Sequence, residues 1–76
     1  MNVLYIMNGC PLCAEAVRHL KEEKYPFEAV SILEDPQARR KLKETIGEVY
    51  TPVLSHHGRM TKGKDILNLT GERMSP

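Results

Sequence analysis

Apolar and polar residues along this chain fall into short blocks that switch between strand-like and helix-like periods. Asn2-Val3-Leu4-Tyr5-Ile6-Met7 is nearly continuous in apolar, β-favouring residues, the pattern of a strand covered on both faces. Asn8-Gly9 breaks it with two residues that tolerate turn geometry. From Pro11 the period changes. Proline suits the first turn of a helix, Ala14 to Glu23 are mostly good helix formers, and Cys13, Val17 and Leu20 recur on one face, which would be turned to a sheet. Glu15 early and Arg18, Lys21 and Lys24 late match the helix dipole. Tyr25-Pro26 ends this helix, because proline disfavours helix in the residue before it. Phe27 to Leu33 then reads as a second strand. Strand, helix and strand together form a βαβ unit, with a parallel strand pair and a right-handed crossover.

In the second half, Glu34-Asp35-Pro36 is a helix start, with Asp35 as N-cap and Pro36 in the first helical position. Ala38, Leu42 and Ile46 lie four apart and make a narrow buried stripe, and Gly47 closes the helix. Val53-Leu54-Ser55 and Arg59-Met60-Thr61 are short strands joined by a tight hairpin at His56-His57-Gly58, with Gly58 in the unusual dihedral. Lys62-Gly63-Lys64 leads into a final helix from Asp65 to Leu69, packed on the sheet by Ile66, Leu67 and Leu69. The order strand, helix, strand, helix, hairpin, helix predicts an α/β layered domain.

The two cysteines, Cys10 and Cys13, stand where the first strand gives way to the first helix. Cys10 falls at the helix start, where free backbone N–H groups and the positive dipole end stabilise a thiolate. The thiolate is the nucleophile of disulfide exchange, so a lowered pKa there raises reactivity near neutral pH. Cys13 lies one turn further along the same face, less exposed but able to reach back. This asymmetry gives Cys10 the attack on a substrate disulfide and Cys13 the resolution of the mixed disulfide. A structural disulfide closing so short a loop would remove little entropy from the unfolded chain. A zinc site would need two more ligands, and His19, His56 and His57 have no regular spacing to supply them. Two unreactive core cysteines are the remaining alternative, to which Pro11 between them at a helix start is poorly suited.

Length and charge narrow the picture. The 76 residues make one domain, 1–76, with a core over about 2–70 and a frayed tail from Gly71. No stretch approaches a transmembrane helix. No basic segment precedes the N-terminal apolar run and no small-residue cleavage site follows it, so no signal peptide is expected. Two cysteines do not make a stapled secreted scaffold, so a reducing cytoplasm is expected, with the dithiol as resting state. A net charge of +1 argues against a general grip on nucleic acid. The local cluster Arg39-Arg40-Lys41-Leu42-Lys43 reads as the solvated face of the second helix. His56 and His57 are expected at a solvent-facing hairpin tip and His19 on the outer side of the first helix, none with a catalytic role.

Cys10-Pro11-Leu12-Cys13 after the first strand and Thr51-Pro52 before the hairpin, in this order and at this separation, resemble the glutaredoxins. The resemblance runs from Val3 to Leu69 and implies the minimal thioredoxin fold, βαβαββα, with a four-stranded mixed sheet in order 2-1-3-4 and three helices. It implies a thiol–disulfide oxidoreductase that reduces protein or glutathione mixed disulfides, with Cys10 as nucleophile and Cys13 as resolving thiol. Pro52 matches the proline that is cis in this family, which turns the backbone of Thr51 outward to pair with an extended thiol substrate; on the residues alone, the start of an edge strand is an equal reading of Pro52. The resemblance further places Pro11, Leu12, Thr51, Pro52, Gly63, Lys64 and Asp65 in the substrate or glutathione site. Gly63-Lys64-Asp65 stands where the family's Gly-Gly-x-Asp region holds the γ-glutamyl end of glutathione. An ordinary capping role for Asp65 is the competing reading.

The chain departs from the family pattern in places. Met7, Asn8 and Gly9 stand where many members carry a lysine, and Leu12 stands where many carry tyrosine. Lys62-Gly63 replaces a double glycine. The hydrogen donors of ribonucleotide reductase, which resemble glutaredoxins and take electrons from thioredoxin reductase, also lack parts of the glutathione site. Their aromatic signature is replaced here by Met60 and Thr61. The expected partners are therefore disulfide-bearing proteins, with glutathione as co-substrate or thioredoxin reductase as electron source. No bound cofactor or metal, no nucleic acid, no membrane and a monomeric chain are expected. A module holding a metal or an iron–sulfur cluster through Cys10 is the alternative of another class, against which Pro11 argues mildly. An adaptor docking an acidic protein on the basic second helix has only Arg39 to Lys43 as its motive.

Overall fold

A computed structural model describes residues 2–56 and 58–69. The elements are β1 (Val3–Ile6), α1 (Pro11–Glu22), β2 (Glu28–Ser31), α2 (Pro36–Ile46), β3 (Val53–His56), β4 (Arg59–Lys62) and a 3₁₀ helix (Gly63–Asn68). They build the expected α/β fold, a four-stranded mixed sheet in order β2-β1-β3-β4. β1 runs parallel to β2, from Val3 opposite Glu28 to Ile6 opposite Ser31, and antiparallel to β3, with Leu4 opposite Leu54. β3 and β4 form the antiparallel hairpin, His56 opposite Arg59.

The alternation of side chains along β1 and β3 divides the core in two. Leu4 and Leu54 pack on one face with Ala16 and Leu20 of α1, Tyr25, and Ile66 of the 3₁₀ helix. Tyr5 and Val53 pack on the other with Ala38 and Leu42 of α2 and Ile32. The central strands are thus covered on both sides, which is why β1 reads as an unbroken apolar run.

α2 follows its sequence signals closely. The Asp35 Oδ1 accepts from the N–H groups of Gln37 and Ala38 at 3.0 and 3.4 Å, and Gly47 closes the helix with φ +82°. The cluster on this helix is not uniformly solvated, however. Arg39 turns back and donates from Nη1 to the carbonyl of Ile32, so only Arg40, Lys41 and Lys43 point fully to solvent.

Other boundaries differ from expectation. α1 stops at Glu22, before Tyr25-Pro26, because a Schellman closure intervenes: Tyr25 N–H donates to the Leu20 carbonyl at 2.8 Å and Lys24 N–H to that of Lys21 at 3.1 Å. Lys24 takes the left-handed conformation this requires, φ +56°. β2 is shorter than Phe27–Leu33. Ser31 O accepts from Glu34 N–H and Asp35 N–H, a turn that ends the strand and leaves Leu33 54% exposed. The hairpin is tighter than expected, His56 joining β3; His57 lies outside the described residues, as does the tail from Thr70. The last helix is a 3₁₀ segment that starts at Gly63, not Asp65, and it has no side-chain cap, so Asp65 does not play that role.

Two histidines are also corrected. His19 is half-buried, and its Nε2 lies 2.6 Å from the Leu69 carbonyl, tying α1 to the end of the 3₁₀ helix. His56 is not at a wet tip: its Nδ1 meets the buried Asn2 Oδ1 at 3.1 Å and its ring stands edge-on to Tyr25 at 5.5 Å. Asn2 completes this corner by donating from Nδ2 to the Pro26 carbonyl at 2.8 Å. No helix among the described residues is long and apolar enough to cross a membrane.

Candidate active site

The turn after β1 delivers Cys10 to the N-cap of α1 in an extended conformation, φ −101° and ψ 107°, with Pro11 in the first turn. An N-cap side chain ordinarily offers an oxygen to the unpaired N–H groups of the first turn. Here the acceptor is sulfur: Cys13 N–H donates to Cys10 Sγ at 3.2 Å. Both cysteines are free thiols; Cys10 is half-exposed and Cys13 buried at 3% exposure.

The two thiols are shifted in opposite directions. Desolvation pushes Cys10 up, but hydrogen bonds from the Cys13 thiol and N–H, the Thr51 side chain and the Leu12 N–H together outweigh it and hold Cys10 below the ordinary cysteine value. Burial raises Cys13, and its own thiol hydrogen bond to Cys10 raises it further, against smaller lowering contributions from Thr51 and the Met7 backbone. The exposed sulfur is therefore the one that ionises first, and the buried one supplies a proton to stabilise it.

Thr51 thus reaches both thiols from the segment before β3, a contact that joins positions far apart in sequence. The Thr51–Pro52 peptide bond is cis and Pro52 is buried. The Pro52 carbonyl accepts from Gly63 N–H at 2.8 Å, so Gly63 is drawn to the same corner. Pro11 is exposed and Leu12 half-buried beside Cys10. Lys64 and Asp65 sit exposed in the first turn of the 3₁₀ helix, adjoining Gly63 but without a hydrogen bond to either thiol.

Sequence reasoning missed Tyr50. Its hydroxyl lies where a Cβ on Gly63 would come to 3.0 Å, a contact the exposed tyrosine tip can relieve, whereas Gly63's φ of +58° is a backbone requirement that keeps glycine there. The Lys62 ammonium stands 5.8 Å from the Tyr50 ring centroid and 3.2 Å from Glu48 Oε2. Adjacency to Thr51-Pro52 was the only signal in the chain for Tyr50. An open groove of about 210 Å³ beside Cys10 was likewise not foreseen; the end of β1 and the turn after it, from Ile6 to Gly9, line it with Cys13, Ala14 and Val17 of α1. Among the described residues, no three His, Cys, Asp or Glu side chains converge on a common point as metal ligands.

Comparison with known proteins agrees with this geometry. The glutaredoxin family model matches residues 2–60. No curated protein matches the chain. Among solved structures, the crystal structure of a thioredoxin-like protein gives a TM-score of 0.77 at 24% identity, over 83% of this chain and 86% of that one. The solution structure of a glutaredoxin from Brucella melitensis gives 0.71 at 24% identity, over 97% and 79%. The crystal structure of a glutaredoxin from Archaeoglobus fulgidus gives 0.74 at 20% identity, over 96% and 79%. These likenesses establish the thioredoxin-like architecture.

Proposed function

Because the chain belongs to the glutaredoxin family, we propose that it reduces protein or glutathione mixed disulfides through the Cys10–Cys13 dithiol. The observation that carries this reading is the arrangement of the two thiols: Cys10, half-exposed at the N-cap of α1, accepts from Cys13 N–H at 3.2 Å while Cys13 is buried, which lowers the first thiol and raises the second. The Cys10 thiolate attacks one sulfur of the substrate disulfide. That S–S bond breaks, a Cys10 mixed disulfide forms, and the departing thiolate takes up a proton. Cys13 then loses its proton and attacks Cys10 Sγ, releasing the second substrate thiol and leaving a Cys10–Cys13 disulfide. Two electrons pass from the protein to the substrate, and two molecules of glutathione, themselves oxidised to the disulfide, restore the dithiol.

Thr51 is the residue whose backbone would pair with an extended substrate beside the thiols, since its side chain reaches both sulfurs and the Pro52–Gly63 hydrogen bond anchors the segment that follows it. Gly63, Lys64 and Asp65 would receive the γ-glutamyl end of glutathione, Lys64 and Asp65 being free to turn toward it. A second electron source, thioredoxin reductase, is favoured by one observation: Met7, Asn8 and Gly9 bring no cation to the approach of Cys10. The cytoplasm, where the dithiol rests reduced, is the compartment proposed.

Cys10→Ser abolishes disulfide reduction, and Cys13→Ser accumulates mixed disulfides or keeps only activity that runs through one thiol. Turnover by Cys10→Ser at the wild-type rate would end the reading. Assays with glutathione and its reductase, and separately with thioredoxin reductase, identify the donor by which of them sustains turnover.

A further inference from the structure

We propose that the groove beside Cys10 seats an apolar side chain of the substrate, so that the protein prefers disulfides whose cysteine has an apolar neighbour. This rests on the reading of Cys10 as nucleophile and names the class of disulfide it takes. Cys10 is itself part of the groove wall, together with Ile6, Met7, Cys13, Ala14, Val17 and the turn residues Asn8 and Gly9. A disulfide under attack must bring its sulfur to Cys10 Sγ, so the residue next to that sulfur comes to lie over the surface beside it. That surface includes the Thr51–Pro52 segment, whose Thr51 side chain reaches Cys10, and this groove, of which Cys10 is a wall. The substrate itself is thus what covers it.

The chemistry of the walls selects the occupant. Apart from the two thiols and the Asn8 amide the lining carries no polar side chain, so a carboxylate placed there would lose water and meet the Cys10 thiolate with no cation to receive it. Ile6 and Val17 form an apolar floor continuous with the core around Leu4 and Leu20. Met7 is 37% exposed at the mouth, and its unbranched thioether can adapt to side chains of different shape. The groove, about 210 Å³, has room for a side chain of leucine or methionine size. Ala14, exposed on α1, leaves the space open where a larger residue would close it.

The test uses the reduced full chain and symmetric disulfides of short blocked peptides in which the residue before or after cysteine is leucine or serine. Single-turnover reduction is followed by the thiol released. The leucine disulfide in at least one of the two positions is expected to show a kcat/KM about tenfold above its serine counterpart, equivalent to about 1.4 kcal/mol. Ala14→Leu fills the groove and is expected to bring the two substrates to equal rates. Ala14→Glu is expected to penalise leucine below serine and stands in for the first variant if that one fails to fold. Equal rates on the wild type, or a leucine preference that persists in the variants, overturns the inference while leaving disulfide reduction intact. Failure to reduce any of the peptides, with Cys10 still alkylated by iodoacetamide, overturns the proposed function and the inference with it.

Discussion

A cysteine at an N-cap offers sulfur where serine or aspartate would offer oxygen, and Cys10 uses that position to hold a charge. Because the thiolate is the reactive form, alkylation of Cys10 by iodoacetamide rises with pH. In Cys13→Ser, which keeps the backbone donor, its midpoint is expected below that of a free cysteine. Thr51→Val removes one donor from the thiolate, so the midpoint moves up and the rate at neutral pH falls; an unchanged profile would show that Thr51 does not bear on Cys10. A second residue under local demand is Lys24, a non-glycine in the left-handed region at the end of α1. Lys24→Gly is expected to stabilise the protein by about 1 kcal/mol in urea unfolding, since the left-handed conformation costs an L-residue about that much. The thiol pair was legible in the chain because its chemistry is local, a helix start and a three-residue spacing. The Thr51 contact and the place of Tyr50 over Gly63 were not, because they join residues that only the fold brings together.

Among the elements, α2 was legible from end to end, its boundary residues Asp35, Pro36 and Gly47 each satisfying a backbone requirement within a few positions. Asp35→Ala removes the carboxylate that accepts from Gln37 and Ala38 and is expected to cost about 1 kcal/mol by thermal or urea unfolding. The 3₁₀ helix was misread in type and start because six residues are too few to display a helical period, and its first residue is fixed by a distant carbonyl, that of Pro52. β2 was read too long for a related reason: Ile32 and Leu33 continue its apolar run, but the turn at Ser31 sends Ile32 into the core and Leu33 to the surface. The histidines were misplaced because hydropathy has no term for a partner. His19 holds the last turn of the 3₁₀ helix to α1 through the Leu69 carbonyl. His19→Ala is expected to speed amide exchange at Leu69, whose N–H donates to Ile66 at 3.1 Å, with little change in the exchange of β1 and β3.

At the scale of the whole molecule, the described residues form a single sheet held between two small apolar clusters, and β1 and β3 contribute to both. A domain of 76 residues has a stability of about 4–11 kcal/mol. Leu54→Ala, at a fully buried position of a central strand, is expected to cost about 3 kcal/mol and so to lower the denaturant midpoint steeply. A fall of less than 1 kcal/mol would show that the cluster around Leu4 closes over the cavity. The thin core leaves both thiols at its rim, where they titrate apart. Between the ionisation of Cys10 and that of Cys13 the reduced protein has already lost one proton from the pair. Oxidation to the disulfide in that interval releases two electrons but only one proton. The midpoint potential there falls by about 30 mV per pH unit, and below the Cys10 ionisation, where two protons leave, by about 59 mV. A potentiometric titration across pH is expected to show that change of slope below the ordinary thiol range, so the acidity of the surroundings would govern this protein's reducing power less strongly than it governs that of an unperturbed dithiol.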